Sequence, residues 1–224
     1  MDNKIYSKDT TPEGAVMKDK ITVNAQSSIR IEAEKIIYFD PFKIESATND
    51  ADVIFITHDH PDHFSPEDIQ KVQKPDTVFV VPKSMENTLK KAGYSELVLL
   101  TPGDKTTVLD IPVEAIPTYN IMKPFHSKKN GWLGYTITVE GQRIYVAGDT
   151  DVTPEAKAVS CDIAMIPIGG TFTMNHTKAA DYINELRPKT VIPTHYGSIV
   201  GSADSGEEFR KLVQSDIEVV IKLK

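Results

Sequence analysis

The sequence predicts a mixed fold of strands and helices, in which a β core is covered by helices. The first half is dominated by short apolar and β-branched runs, which are typical of strands. The second half alternates such runs with segments whose apolar residues recur at helical spacing. At 224 residues the chain is within reach of one domain with a sizeable core. We therefore expect a single domain over 1–224, with the polar, turn-rich residues 1–20 peripheral or frayed.

The first half should contain eight strands, at 21–25, 28–32, 35–39, 52–56, 77–81, 97–100, 106–109 and 113–117. Two helices are expected between them. The helix at 67–73 follows Ser65-Pro66, which is typical of an N-cap followed by proline in the first turn. The helix at 84–92 carries apolar residues at i, i+4 and i+7, so one of its faces should be buried.

A hairpin is predicted next, with arms at 132–139 and 143–147 joined by a short glycine turn, Glu140-Gly141-Gln142. A strand at 162–166 precedes a helix marked by the helical spacing of Ala179, Ala180, Ile183 and Leu186. The remaining elements are a strand at 190–192, a helix at 206–214 and a strand at 217–222.

Composition limits the classes of partner. A formal net charge of -7 argues against nucleic acid or an anionic membrane as the main partner. The sequence contains no apolar run of membrane-spanning length and begins with no apolar signal segment. The single cysteine, Cys161, cannot form an internal disulfide and is predicted to be a small buried side chain. We expect a cytoplasmic protein acting on a small molecule, without nucleic acid or membrane partners, and leave homo-oligomerisation open.

Three histidines and two aspartates lie in the loop Thr57-His58-Asp59-His60-Pro61-Asp62-His63, directly after a predicted buried strand. In an extended segment His58 and His60 project to the same side and can share one cation. Asp62 and His63 follow a proline that bends the chain, so they can turn toward a second cation. Imidazole nitrogen with carboxylate oxygen suits zinc or another first-row metal better than magnesium or calcium.

Two other predicted strands also end at a potential metal ligand. Asp149 follows the second hairpin arm, and His195 follows the strand at 190–192. Parallel or mixed sheets place such strand ends along one rim, so these side chains could converge with the histidine loop. A lone residue of this kind usually caps or fills a core, but the agreement of three strand ends favours a metal site.

These pieces resemble the metallo-β-lactamase-fold hydrolases. The matching motifs are His58-Asp59-His60-Pro61-Asp62-His63, Gly148-Asp149-Thr150 and Pro193-Thr194-His195-Tyr196, in the expected order from about Ile21 onward. Asp40-Pro41-Phe42 and the run 167–174 are most similar to the branch of L-ascorbate-6-phosphate lactonase and small metal-dependent hydrolases. The resemblance implies an α+β fold, a four-layer αββα sandwich, with a two-metal site.

The resemblance also implies the ligands. His58 and His60 would bind the first metal, Asp62, His63 and His195 would bind the second, and Asp149 would bridge them. His126 is the candidate for the remaining first-metal position, although Asn120 lies where some relatives place that ligand. Gln26 stands where many relatives carry a histidine, and its amide could hydrogen-bond near the site.

The implied cofactors are two divalent metal ions, zinc first, with manganese, iron or nickel as alternatives. A water between them would lose a proton readily, and the hydroxide would attack an ester, lactone, amide or phosphoester. Asp62 and Asp149 are therefore expected to be essential for catalysis.

Several weaker candidates surround these ligands. His176 is either a helix-start residue or a residue that assists the site, and the Tyr196 hydroxyl could reach a substrate oxygen or simply pack. Lys123, Lys128 and Lys129 flank His126 and could attract an anionic substrate. Trp132, Phe125 and Tyr119 are candidates for the pocket wall or for the core.

Two alternative functions remain open. One is a di-iron redox protein on a related fold, although such sites typically replace some of these histidines by a carboxylate, and here His58, His60 and His63 are intact. The other is a non-catalytic metal- or ligand-binding module that kept the ligands and lost turnover.

Overall fold

The computed structural model describes residues 16–223. Six strands form a first sheet: β1 (Ile21–Val23), β2 (Ile29–Glu32), β3 (Ile36–Phe39), β4 (Ala51–Phe55), β5 (Gln73–Pro82) and β6 (Leu97–Leu100). Seven form a second: β7 (Lys105–Val108), β8 (Ile111–Pro117), β9 (Leu133–Val139), β10 (Gln142–Val146), β11 (Ile163–Pro167), β12 (Thr190–Thr194) and β13 (Glu218–Val219). The helices are α1 (Pro66–Val72), α2 (Glu86–Lys91), α3 (Pro154–Lys157), α4 (His176–Leu186) and α5 (Ser205–Leu212).

Both sheets follow the order of the chain. The first runs from β1 to β6, with β1, β2 and β3 antiparallel and then β3 to β6 parallel. The second runs from β7 to β13, antiparallel as far as β10 and parallel from β10 onward. Each sheet therefore has a group of parallel strands, and the carboxyl ends of the strands in a group lie at the same edge.

The layers follow from the alternation of side chains along each strand. In β4, Val53 and Phe55 face the core shared with the second sheet, whereas Ile54 faces a separate apolar cluster. That second cluster is completed by residues of α1 and α2, such as Ile69 and Leu89. Residues of helices α3 to α5, among them Ala156, Ala180 and Phe209, are buried together with strand residues of the second sheet. The predicted four-layer αββα sandwich is confirmed.

Most predicted elements are present, with shifted ends. β5 begins at Gln73 rather than 77, because Gln73 pairs with Ala51 across an irregularity in the register. β12 continues through Pro193 and Thr194, which is tolerated because β13 pairs only with Thr190 and Val191. The last strand, predicted at 217–222, is limited to Glu218–Val219.

The predicted helix at 84–92 begins as a 3-10 turn and continues as α2. Helix α3 has no counterpart among the predicted elements. At the amino terminus, residues 1–15 lie outside the described residues, so the expectation for them is not addressed. Met17, in a 3-10 turn over Met17–Lys20, is buried in the main core.

Candidate metal centre

The loop that leaves β4 is shaped by a tight turn. Pro61 and Asp62 occupy its centre, and the His63 N–H donates to the His60 carbonyl at 2.9 Å. Proline pre-sets the backbone for such a turn. The turn directs the side chains of His60, Asp62 and His63 toward a common centre, where the imidazole of His58 also lies.

The loops after β10 and β12 bring the other predicted ligands to the same place. The two sheets face one another, so these loops meet the β4 loop across the sandwich. The sequence instead predicts that the strand ends lie along one rim. Gly148 permits the approach to the β4 loop, and Gly169 lets the loop after β11 pass close to His195. A Cβ on Gly169 would lie 2.2 Å from the His195 carbonyl oxygen, and one on Gly148 would lie 3.2 Å from the Thr57 side chain. His195 itself adopts a left-handed backbone conformation, with φ of 56°.

Seven side chains form three overlapping groups. Within each group, the ligand atoms lie within 4.8 Å of one another. The groups are His58, His60 and His126; His58, His63 and Asp149; and Asp62, His63 and His195. Asp149 connects them. Its Oδ2 lies 3.4 Å from His126 Nε2, and its Oδ1 lies 3.3 Å from His195 Nε2 and 3.4 Å from His63 Nε2. All seven predicted metal ligands are therefore together.

These residues fit a metal centre in two respects. The buried Nε2 atoms of His63, His126 and His195 and Oδ1 of Asp149 have no hydrogen-bond partner, although buried polar atoms are normally satisfied. Their separations also suit shared coordination. Two ligands at about 2.05 Å from a tetrahedral ion lie about 3.3 Å apart, and the His58 Nε2 to His60 Nδ1 and His195 Nε2 to Asp62 Oδ2 distances are 3.1 and 3.3 Å.

Asp40 was not among the predicted site residues, yet it orients His63, one of the predicted ligands. Its fully buried Oδ2 lies 2.7 Å from His63 Nδ1, which leaves His63 Nε2 free to face the centre. Thr57 donates to the same carboxylate from its hydroxyl at 2.6 Å and from its backbone at 2.8 Å. A carboxylate that holds the distal nitrogen of a histidine ligand is a recurrent feature of metal sites.

The structure separates the roles of His126 and Asn120. His126 belongs to the first ligand group, whereas the Oδ1 of Asn120 lies 3.0 Å from His126 Nδ1. The Asn120 amide nitrogen in turn donates to the Phe172 carbonyl at 2.9 Å. Asn120 therefore supports His126 instead of replacing it. The backbone carbonyl of Gln26 similarly accepts from the His195 N–H at 2.9 Å, and its side-chain Nε2 is buried without a partner.

The electrostatics of the cluster favour a cation. Burial raises the pKa of Asp149, but His195 and His63 outweigh it and hold that pKa well below its usual range. Asp62 behaves similarly: burial is outweighed mainly by His195, and its pKa falls to about 2. Burial and the neighbouring histidine His63 keep the pKa of His58 well below normal, so this imidazole is neutral and able to act as a ligand.

A cleft of about 320 Å³ opens onto this cluster. Its polar lining consists of His60, Asp62, Asp149 and His195, and its apolar lining of Pro61, Phe125, Phe172 and Ile199. Trp132 lies behind the ligands, with its ring centroid 4.8 to 5.4 Å from those of His58, His60 and His126. Of the aromatic candidates, Phe125 and Trp132 thus border the site.

His176 and Tyr196, predicted as catalytic, lie outside the ligand groups. His176 is the first residue of α4, behind the Asn175 N-cap, and its Nδ1 is 3.7 Å from Glu208 Oε2. The Tyr196 hydroxyl points toward the Leu223 carbonyl at 3.5 Å and lies against Gly206. These contacts are structural, because α5 and the carboxyl-terminal segment supply the partners. Neither residue therefore enters the mechanism proposed below.

The lysines near His126 have partners of their own. Lys123 donates to the carbonyls of Gly170 and Thr173 and lies 3.4 Å from Asp151 Oδ1. Lys128 pairs with Glu155 at 2.7 Å. Lys129 is exposed in a 3-10 turn.

Within residues 16–223, we also find no helix whose length and apolar character would let it cross a bilayer.

Curated relatives match nearly the whole chain. A UPF0173 metal-dependent hydrolase of Thermococcus kodakarensis is 29% identical over 90% of this chain and 95% of its own length. A second, from Pyrococcus furiosus, is 31% identical with the same coverage of both chains. A crystal structure of a candidate metal-dependent hydrolase from Parabacteroides distasonis is 33% identical, with a TM-score of 0.75 over 91% of this chain and 93% of that one.

More distant structures share the fold alone. The di-iron β-hydroxylase CmlA of Streptomyces venezuelae superimposes with a TM-score of 0.72 at 14% identity, over 91% of this chain and 52% of that one. The assignment to the L-ascorbate-6-phosphate lactonase branch stays a prediction. Residues 20–195 match the family described as beta-lactamase superfamily domain. The chain belongs to this family and has the metallo-β-lactamase fold.

Proposed function

We propose that the protein is a metal-dependent hydrolase that uses two divalent cations, zinc first, to cleave an ester, lactone or phosphoester of a small molecule. One observation carries the proposal: seven histidine and aspartate ligands face one another beside a cleft, with buried nitrogen and oxygen atoms that lack partners. The relatives called metal-dependent hydrolases support the same class.

Bound cations would act as Lewis acids and lower the pKa of a coordinated water. The chain's own residues set the geometry around them. Asp40 and Asn120 fix the rings of His63 and His126, so that each Nε2 faces the centre. Asp149 presents Oδ2 to His126 and Oδ1 to His63 and His195. Asp62 stays ionised at neutral pH and lines the cleft, where it can accept a hydrogen bond from water.

The reaction is a hydrolysis, so it needs no oxidant or reductant. The water oxygen bonds to the carbonyl carbon or phosphorus, the bond to the leaving oxygen breaks, and the proton lost by water ends on that oxygen. Holding the reacting groups in place makes an intermolecular step effectively unimolecular, which is what a rigid ligand cluster provides.

Replacement of Asp62 or Asp149 by Ala tests the function. We expect each variant to remain folded and to lose, by orders of magnitude, whichever hydrolytic activity the wild type shows in a screen of lactones, thioesters and phosphodiesters. Asp59→Ala is the matched control, because Asp59 is exposed in the same loop and belongs to none of the ligand groups. Hydrolysis that survives chelation and persists in both variants would rule out a metal-dependent hydrolase.

The redox alternative has support from the fold alone. Identifying the metal in the purified protein separates the hydrolase from the redox protein: colourless zinc protein favours hydrolysis and coloured iron protein favours redox chemistry. Metal-loaded protein that turns over none of the substrates would instead favour the non-catalytic module. The acidic net charge supports a small-molecule substrate and argues against nucleic acid. Cytoplasmic location and homo-oligomerisation stay predictions.

A further inference from the structure

Large apolar side chains form part of the lining of the cleft. Phe125 and Ile199 both line it, although 45% and 52% of their surfaces are exposed. Phe125 packs edge-on against Phe172, with ring centroids 4.8 Å apart. Scattered exposed apolar residues are ordinary, but a group of them around a cleft marks a ligand-binding surface.

The polar character of the cleft comes from the metal ligands. Among the described residues that line it there is no lysine or arginine. The nearby cations face other groups, since Lys123 lies against Asp151 and two carbonyls, and Lys128 pairs with Glu155. A phosphate or carboxylate remote from the reacting bond would therefore have no cationic side chain in this cleft to bind it.

The size of the cleft limits the substrate as well. At about 320 Å³ it lies at the lower end of the range for small-molecule sites. The polar lining residues belong to the ligand groups, and the remaining lining residues are aromatic, aliphatic or proline. This division matches a substrate with one polar reacting bond and one apolar group.

We propose that the substrate is an uncharged ester or lactone whose alkyl or aryl group binds between Phe125, Phe172 and Ile199. The proposal rests on the hydrolase function proposed above and replaces the anionic substrate suggested by the lysines in the sequence. The apolar group of the substrate takes no part in bond breaking. It should therefore raise kcat/KM through binding, in proportion to the apolar area that it buries.

A chain-length series measures this contribution. We expect kcat/KM of the zinc-loaded protein to rise about two- to fourfold per added methylene from γ-butyrolactone to γ-octalactone and from methyl butanoate to methyl octanoate. Monomethyl suberate, which has the same length as methyl octanoate but ends in a carboxylate, should be the poorer substrate. A flat series, or a preference for the suberate, would overturn the proposal.

Binding gives a readout that is independent of turnover. By calorimetry, the non-hydrolysable ketone 2-nonanone should bind and acetone should not, with or without zinc. If 2-nonanone binds but no lactone or ester is cleaved, the apolar subsite stands and the hydrolase function fails. If substrates are cleaved without a chain-length preference and 2-nonanone does not bind, the hydrolase function stands and the subsite fails.

Variants locate the subsite. Phe125→Ala and Ile199→Ala should each reduce the ratio of kcat/KM for γ-octalactone over γ-butyrolactone about fivefold. Leu212→Ala, which removes an exposed apolar side chain from α5, should leave that ratio unchanged. If Phe125→Ala instead converts a dimer to a monomer and leaves the ratio unaltered, the apolar surface is an interface between copies and the proposal is wrong.

Discussion

At the scale of single residues, Asp40 supports the site through His63. The carboxylate is fully buried and accepts from Thr57 twice, while its Oδ2 faces His63 Nδ1 at 2.7 Å. In Asp40→Asn, the amide N–H of the new side chain would face the Nδ1–H of His63. The His63 imidazole could then no longer be held with Nε2 toward the centre. Because supporting residues of this kind contribute substantially to metal affinity, we expect zinc to bind about 10- to 100-fold more weakly.

Competition with a chelator would measure that affinity, and circular dichroism would check that the variant is folded. Asp59→Asn is the control, since it makes the same chemical change at an exposed position of the neighbouring loop. Wild-type zinc affinity in folded Asp40→Asn protein would show that the carboxylate is not needed to orient His63.

The clustered histidines and aspartates could be predicted from the sequence as candidate ligands, whereas Asp40 could not be predicted as a residue of the site. His58, His60 and His63 form a dense local pattern, and Asp149 and His195 each follow a strand. Asp40 also follows a strand, but its role depends on the parallel pairing of β3 with β4, which brings it beside Thr57. That pairing is not encoded in any local pattern.

At the scale of elements, α1 is connected to the segment that follows Asp40. Asp68 accepts from the backbone N–H groups of Lys43 and Ile44, each at 3.0 Å, and from Lys71 Nζ at 3.0 Å. Burial raises the pKa of Asp68, but these donors outweigh it and lower the pKa below its ordinary value of 3.8. The stabilisation is therefore fully present above about pH 4 and is lost as the pH falls through the lower folded-state pKa.

We expect Asp68→Asn to lower the free energy of unfolding by about 2 kcal/mol at pH 7, because an amide presents only one acceptor oxygen to several donors. The difference from wild type should shrink as the pH falls below 3.8. Urea midpoints at a series of pH values would measure both effects. Glu67→Gln, at an exposed position of the same helix, should change little. An Asp68→Asn difference that is independent of pH would contradict the ionised role of Asp68.

The sequence patterns predicted elements well where a cap or a period marked them. Ser65 accepts from the Asp68 N–H, and α1 begins at Pro66 as that pattern predicts. Thr153-Pro154 is likewise an N-cap followed by proline, and α3 begins there. This helix was not predicted, because it has only four residues. The extension of β5 could not be foreseen, because tertiary pairing with Ala51 outweighs the turn-like residues at its start.

At the scale of the whole molecule, the site exists because two sheets stack. β4 belongs to the first sheet and β10 and β12 to the second, so the ligands meet only when the sandwich is formed. The sequence predicted that strand ends would converge, but it could not show which sheet each strand joins. The close approach of the Gly169 loop to His195 is likewise visible only in three dimensions.

Anomalous diffraction from crystals of the zinc-loaded protein tests the two-metal centre directly. We expect two peaks, one contacted by His58, His60 and His126 and the other by Asp62, His63 and His195, with Asp149 between them. A single peak, or none within this group of side chains, would contradict it.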